Sequence, residues 1–253
     1  MPKWSLSSDF SLKHNPSSAW SYGSKPAGYH VSGVFSSFTH LDPEPNGNGI
    51  VGWFGIDNAW YIHGLGVYYN TKPTTVITGS VIFPGNSVAM HPSDDGRFSV
   101  VRFTAPKDEN YVLDATFAHI DTCALHTGVY IIYNNLVTLW EIDLAGPEDS
   151  KSFKTTISVK AIEPIDFIVG VGLDNNYVCD TTLARVDIHL LDSLENQTGF
   201  PIIVGLIGCY YSAILYLLPD IVRIDKMLTS VTRSKTITII AHIIKFKGKF
   251  FLL

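Results

Sequence analysis

The chain is 253 residues long, 46% hydrophobic and 16% charged, with a formal charge of −5; this apolar content is enough for a buried core and excludes disorder as the resting state. Charge is unevenly spread: residues 1–198 carry 11 basic and 21 acidic side chains, net −10, and residues 199–253 carry 7 and 2, net +5. An acidic front part excludes nucleic acid as its partner, because phosphates need Lys and Arg, and three cysteines without metal-ligand spacing suggest neither a disulfide scaffold nor a zinc site.

In chain order, the first residues (MPKWSLSSDFSLKHNP) have no apolar core of a secretory signal, so none is expected. An edge strand is predicted over Asp9–Leu12, a turn over His14–Ser18, and strands around Trp20–Gly23 and Tyr29–Phe38. The run LDPEPNGNG reads as a loop. Residues 50–70 are dense in aromatics, but glycines break both a helical stripe and a long strand. Val76–Phe83 reads as one strand and Pro84–Gly96 as a long loop closing on the Asp95-Gly96 turn.

From Arg97 to Asp143 the period is two: Val101, Phe103 and Ala105, then Tyr111, Leu113, Ala115 and Phe117, then Val129, Ile131 and Tyr133, then Leu136, Thr138, Trp140 and Ile142. Such alternation sends one set of side chains to each sheet face and predicts a four-stranded antiparallel meander. Asn134-Asn135 suits a type I′ hairpin, since Asn tolerates positive φ. Phe153–Lys160, Ile165–Val171 and Thr182–Leu190 supply further strands. Some ten strands without a convincing helix predict an all-β fold, a two-sheet antiparallel β-sandwich of the jelly-roll kind, over residues 1–192.

If successive strands run up and down, the loops Pro84–Gly96, Asp121–Gly128, Ala145–Ser152 and Gly172–Asp180 fall at one end. They gather His91, Asp94, Asp95, Asp121, His126, Asp174, Asn175 and Asp180 on one rim. Cys123 and Cys179 join them there, where a disulfide is within reach and requires an oxidising compartment.

Several motifs carry a resemblance: Asp9-Phe10-Ser11, Asn15-Pro16, Trp20-Ser21-Tyr22-Gly23, His91-Pro92, Val100 to Pro106, Ile120-Asp121-Thr122, Asn134-Asn135, Ile165 to Gly170 and Asp180-Thr181-Thr182. In this order and spacing, over about residues 9–191, the chain resembles a β-sandwich module of exported and cell-surface proteins of cyanobacteria and planctomycetes. That resemblance implies a fold similar to carbohydrate-binding modules and no assigned catalytic centre. Cys123 and His126 depart from it, standing in a loop that the family fills with Gly and Thr.

Among functional motifs, Gly47-Asn48-Gly49-Ile50-Val51-Gly52 matches G-x-G-x-x-G, but prolines precede it where a nucleotide site needs a strand, and no helix follows. It reads as a loop. The aromatics Trp20, Tyr22, Trp53, Trp60, Tyr61, Tyr68 and Tyr69 offer flat faces for sugar rings, although most are expected to fill the core. Candidate ligand-binding residues are therefore Trp53, Trp60, Tyr61, His91, Asp121, His126, Asp174 and Asn175. Asp94, Asp95 and Asp180 are candidate Ca²⁺ ligands, because that ion takes six to eight oxygens; an acidic solvated edge is the plainer reading of the same residues. Arg102, inside an apolar strand, is expected to pair with a neighbouring carboxylate. No G-x-S-x-G or HExxH motif points to catalysis.

Residues 193–198 read as a linker. Gly199–Pro219 holds 21 residues without a charge, long enough to cross a bilayer as a helix, so residues 199–222 are read as a membrane span, a helix packed on the sandwich, or a fused or out-of-frame extension. The basic residues 223–253 would then lie on the cytoplasmic side and the sandwich outside. The function expected is non-catalytic glycan recognition at a cell surface or membrane, with a glycan or a surface protein as partner. The alternatives are a structural or adhesive domain with a calcium-binding rim, and a glycoside hydrolase using rim carboxylates.

Overall fold

The computed structural model describes residues 3–42, 48–54 and 64–191, all within the first of two units, Met1–Leu191 and Asp192–Leu253. The expected linker, apolar segment and basic tail lie outside the described residues, and among those described no helix is long and apolar enough to cross a membrane. Sixteen strands are present among the described residues. The early ones are short: β1 Lys3–Ser5, β2 Trp20–Pro26, β3 Ser36–Ser37, β4 His40–Asp42, β5 Ile50–Phe54, β6 Gly66–Asn70, β7 Val76–Thr78, β8 Val81–Phe83 and β9 Val88–His91. The later ones are long: β10 Arg97–Thr104, β11 Glu109–His119, β12 His126–Tyr133, β13 Val137–Ala145, β14 Ser150–Val159, β15 Pro164–Val171 and β16 Thr182–Leu190.

They form a two-sheet antiparallel sandwich. One sheet runs β14-β11-β16-β9-β6-β5-β4, with β1 added on β16, and the other runs β13-β12-β15-β10-β2-β3. The alternating side chains face inward as their period requires: Val101, Phe103, Leu113, Ala115, Phe117, Val129, Ile131, Phe167 and Val186 are fully buried in one cluster. Asn134 and Asn135 both adopt positive φ, 50° and 53°, and close the β12–β13 hairpin as their chemistry demands.

The expected meander is corrected in its pairing. Of its four strands only β12 and β13 are hydrogen-bonded neighbours; β10 lies between β15 and β2, and β11 between β14 and β16 in the opposite sheet. The strands change sheet in jelly-roll manner, because residues 105–108 and 120–125 cross the sandwich rather than turn back. A period of two fixes faces, not partners. Leu136 falls in the hairpin turn and is exposed.

The N-terminal strand expectations are also revised. Residues 9–12 form no strand, and residues 27–38 form a 3₁₀ turn, Ala27–Tyr29, and the two-residue β3 rather than one long strand. Side chains hold these segments in place. Asp9 accepts from the Ser5 amide at 2.9 Å and from Trp20 Nε1 at 3.3 Å, while Asn15 donates to the Tyr22 and Phe38 carbonyls and accepts from the Tyr22 amide. Two of the motifs behind the family resemblance are thus structural.

Both outer faces are partly covered. Residues 27–38 strap the smaller sheet, where Val31 and Phe35 pack on Phe98, Val100, Ile132 and Ile168. With this covering β15 is buried along both faces. Gly23 lies beneath the strap, where a Cβ would strike the Ser36 carbonyl and the Phe35 ring. Beside it Lys25, wholly buried, pairs with Asp166 at 2.7 Å and donates to the His30 and Val31 carbonyls. Arg102 takes the other side of Asp166 at 2.6 Å, fulfilling its expected pairing, and lies 4.2 Å over the Phe35 ring. On the larger sheet, the span read as one strand, Val76–Phe83, is the hairpin β7–β8. Its Val81 and Phe83 bury against Ile50, Phe54, Tyr68 and Ala89.

Candidate functional site

The strand order delivers the loop rim. Pairing of His119 with Thr182, Ala118 with Ser150, and His126 with Ala145 puts residues 120–125, 146–149 and 172–181 at one end. Backbone bonds lock them: the Ile120 amide donates to the Thr181 carbonyl at 3.1 Å, the Gly146 amide to the Leu125 carbonyl at 2.6 Å, and the His119 amide to the Asp149 carbonyl at 2.9 Å. A disulfide joins Cys123 to Cys179 across two of these loops. The β7–β8 hairpin reaches the same end through a bridge from Val81 to Asp121.

Between hairpin and loops lies a half-open cleft of about 210 Å³, lined by Ile82, His119, Ile120, Asp121, Thr122, Pro147 and Glu148. Apolar surface comes from Ile82, Ile120 and Pro147, and polar groups from Thr122, Asp121 and Glu148. Clefts for drug-sized ligands run to roughly 300–1,000 Å³, so this one accommodates a single ring. At its back, His119 Nδ1 bonds the Gly146 carbonyl at 2.6 Å and Nε2 meets the Thr127 hydroxyl at 2.6 Å. The imidazole thereby ties β11 to β12 and to the 146–149 loop.

Beside the cleft, on the far side of residues 120–125, His126 Nδ1 donates to Asp143 Oδ2 at 2.6 Å; the other Asp143 oxygen accepts from the Leu173 amide at 2.9 Å. That hydrogen bond holds the His126 pKa above its ordinary 6.5, with the charges of Asp143 and Asp174 acting in the same sense. Asp180 stands apart. It is 1% exposed, and neither carboxylate oxygen has a hydrogen-bond partner. Burial pushes its pKa up to about 8, the nearby Thr127 hydroxyl pulls the other way, and the charges of Asp174, Asp121 and Asp143 raise it further. The hydrogen bond of that hydroxyl goes to His119, which leaves the carboxylate bare.

The residues expected to bind are therefore split. Asp121, His126, Asp174 and Asn175 do meet at the rim, Asp174 and Asn175 exposed, His126 half-buried and Asp121 only 1% exposed at the cleft floor. Trp53 is corrected: it is 6% exposed, stacks over Tyr22 in the core and donates Nε1–H to the Ser11 carbonyl at 2.8 Å, so it presents no face to a ligand. His91 is wholly buried and its Nδ1 bonds the Pro92 carbonyl, which removes it as a direct contact. Trp60 and Tyr61 lie outside the described residues.

Two of the three candidate calcium ligands have hydrogen-bond partners of their own. Asp94 accepts from Ser93 and Asp95 from Arg97. Among the described residues the group of three metal-type side chains drawn within 4.8 Å is instead Asp121, Cys123 and Cys179, whose sulfurs are spent on each other. Of the motif read as a loop, Gly47 lies outside the described residues, and Ile50, Val51 and Gly52 belong to β5.

Sequence reasoning missed Glu148, Ile82 and Pro147, which carry no motif, Thr122, which lies in one but was not singled out, and Tyr177, whose ring meets that of His91 edge-on at 6.5 Å. The pairing of Ile120-Asp121-Thr122 with Asp180-Thr181-Thr182 was the available signal. These two motifs face each other across β11 and β16, with the Thr181 hydroxyl 3.4 Å from Asp121 Oδ2.

No family model and no curated protein matches the chain. Among solved structures it is similar to a CBM51 from Clostridium perfringens GH95 in complex with methyl-galactose, at 10% identity over 74% of this chain and 100% of that one, TM-score 0.34. It is similar also to a family 35 carbohydrate-binding module from Clostridium thermocellum, at 10% identity over 47% of this chain and 84% of that one, TM-score 0.28. An exo-β-1,3-galactanase from Phanerochaete chrysosporium gives 12% identity over 46% of this chain and TM-score 0.29, and the match spans 26% of the galactanase's length. Likeness this slight says nothing about the rim, whose chemistry rests on its own geometry.

Proposed function

We propose that the chain is a non-catalytic glycan-binding module and that the rim cleft takes a single sugar ring. The observation that carries this reading is the cleft's lining. An apolar wall of Ile82, Ile120 and Pro147 faces Thr122, Asp121 and Glu148. Sugar rings need this combination, since they present apolar C–H faces and hydroxyls together.

The rigid sandwich end supports it, because loops tied to strands and to a disulfide lose little freedom on binding. Glycoside hydrolysis, by contrast, takes two carboxyl groups flanking the scissile bond. Glu148 is exposed while Asp121 is nearly buried, so the two carboxyl groups are unequally presented to the cleft they both line. The disulfide Cys123–Cys179 supports display outside the cell, since such bonds persist in oxidising compartments.

The test is retention of the full chain on a glycan array and on insoluble polysaccharides, with Glu148→Ala as the control. That side chain is exposed, so its loss leaves folding intact. Retention that falls about tenfold or more in Glu148→Ala, the order expected for a hydrogen bond to a charged group, supports the reading; no retention on any glycan ends it.

A further inference from the structure

The two sheets end in β14 and β4, and in β13 and β3, and three of these four edges are blunted. β3 and β4 have two and three residues. β13 carries a bulge, with Leu139 extra where Ile131 pairs with Trp140 and Ile132 with Thr138, and a bulge twists an edge away from a partner. β14 has none of these devices. Its ten residues, Ser150–Val159, include no Gly or Pro, pair with β11 in unbroken register, and have no strand on their other side among the described residues. Such an edge offers a row of backbone donors and acceptors to another chain. Its core-facing side chains are short of cover too: Phe153, Thr155 and Ile157 are only half-buried, with Phe153 stacked on Trp140 at 5.5 Å. Lysines guard an edge by their charge, but here Lys151 is paired with Asp149 at 2.7 Å and Lys154 with Asp114 at 3.4 Å.

We propose that β14 is a dimerisation edge whose occupant is β14 of a second copy of this chain. The strand is self-complementary about one residue. Opposed residues of an antiparallel pair share a sheet face, so a two-fold axis relating two copies must pass through a residue position. Two centres leave just one residue of β14 unpaired, Lys154 and Thr155. The first sets two Lys154 ammonium groups directly against each other, which is destabilising. The second sets Thr155 against itself, Phe153 against Ile157, Ser152 against Ser158, Lys154 against Thr156 and Lys151 against Val159. No like charges are then directly opposed. Phe153 and Ile157 gain each other as cover, an aromatic and β-branched pair of the kind that stabilises sheets. The larger sheets of the two copies become one continuous sheet. β14 runs away from the rim, since Ser150 follows the 146–149 loop, so the axis sends the two rims to opposite ends of the dimer. On the glycan reading, on which this consequence alone rests, the dimer bridges two glycan-bearing surfaces rather than gripping one twice.

The experiment is sedimentation of the full chain over a range of concentrations without any glycan, so its outcome is independent of sugar binding. The wild type should pass from monomer to dimer as concentration rises. Thr156 is exposed, and Thr156→Lys sets like charges in direct opposition twice per dimer. It should stay cooperatively folded while the dimer dissociation constant rises about fivefold or more, whereas Thr156→Glu, facing Lys154 of the second copy, should not weaken the dimer. Thr155→Cys should give a disulfide-linked dimer under mild oxidation, because directly opposed Cα atoms lie about 4.5–5.5 Å apart; this supplies the reading if Thr156→Lys fails to fold. A wild type that stays monomeric, Thr156→Lys dimerising as the wild type does, or Thr155→Cys cross-linking no more than the wild type would overturn the proposal.

Discussion

Cys123 and Cys179, 56 residues apart in the chain, are bonded to each other, and their bond ties the loop after β11 to the loop before β16 at the mouth of the sandwich. Both loops otherwise depend on a few backbone hydrogen bonds. Closing a loop of this length removes conformational freedom from the unfolded chain worth about 4 kcal/mol in the entropy model, with measured values often lower. The paired substitution Cys123→Ser with Cys179→Ser should therefore lower unfolding free energy by roughly 2–4 kcal/mol. Urea denaturation of the two proteins decides it; equal midpoints would mean the bridge constrains nothing.

Asp166 is the shared anion of Lys25 and Arg102. Breaking a buried ion pair from one side costs about 3–5 kcal/mol, because the remaining charge stays in the interior, whereas replacing it by packed apolar groups can be neutral. Asp166→Leu should be severely destabilised, and Lys25→Met on that background should recover part of the loss. The stabilities of the two singles and the double test this; simple additivity would show that the charges do not act on one another.

The His126–Asp143 hydrogen bond makes stability pH-dependent in a definite direction. The folded-state pKa of His126 is raised above 6.5 by Asp143, so the folded state holds this proton more tightly than the unfolded chain. Its stabilising contribution is complete below pH 6.5 and is lost as pH rises through the higher folded value. His126→Gln should flatten the wild-type fall of Tm just above pH 6.5, and His126→Gln retaining the full slope would assign the effect to another group.

Gly170 sits where a Cβ would enter the ring of Phe98. Gly170→Ala should cost about 1–3 kcal/mol, as overpacking does, and Phe98→Leu, by thinning the ring away, should relieve part of it. A neutral Gly170→Ala in denaturation would show that the covered face of the smaller sheet yields freely.

What was legible in the sequence follows from what side chains fix locally. Period-two alternation placed the long strands and their inward faces, and Asn134-Asn135 placed a hairpin. It could not say which sheet each strand joins, because Val101 and Leu113 alternate alike whether their strands are neighbours or face each other across the core. Val88–His91 went unseen because Pro84, Gly85 and Pro92 around it advertise a loop, yet β9 pairs with both β16 and β6.

The rim's membership was legible from strand order alone, and Asp121, His126 and Asp174 arrived there. Which side chains form the cleft was not. Ile82 reaches it through a hairpin read as one strand, and Glu148 and Pro147 belong to no motif. Trp53 misled for a physical reason: an aromatic next to glycines can stack on a sugar or fill a core with the same local sequence, and its indole N–H found the Ser11 carbonyl.

The most direct measurement of the central claim is calorimetric titration of the full chain with the best-retained soluble oligosaccharide from the array, beside Glu148→Ala under the same conditions. The account predicts saturable binding of one oligosaccharide per chain in the wild type and about a tenfold or greater loss in Glu148→Ala at unchanged Tm. Equal affinity in the two proteins would place the sugar elsewhere and contradict it.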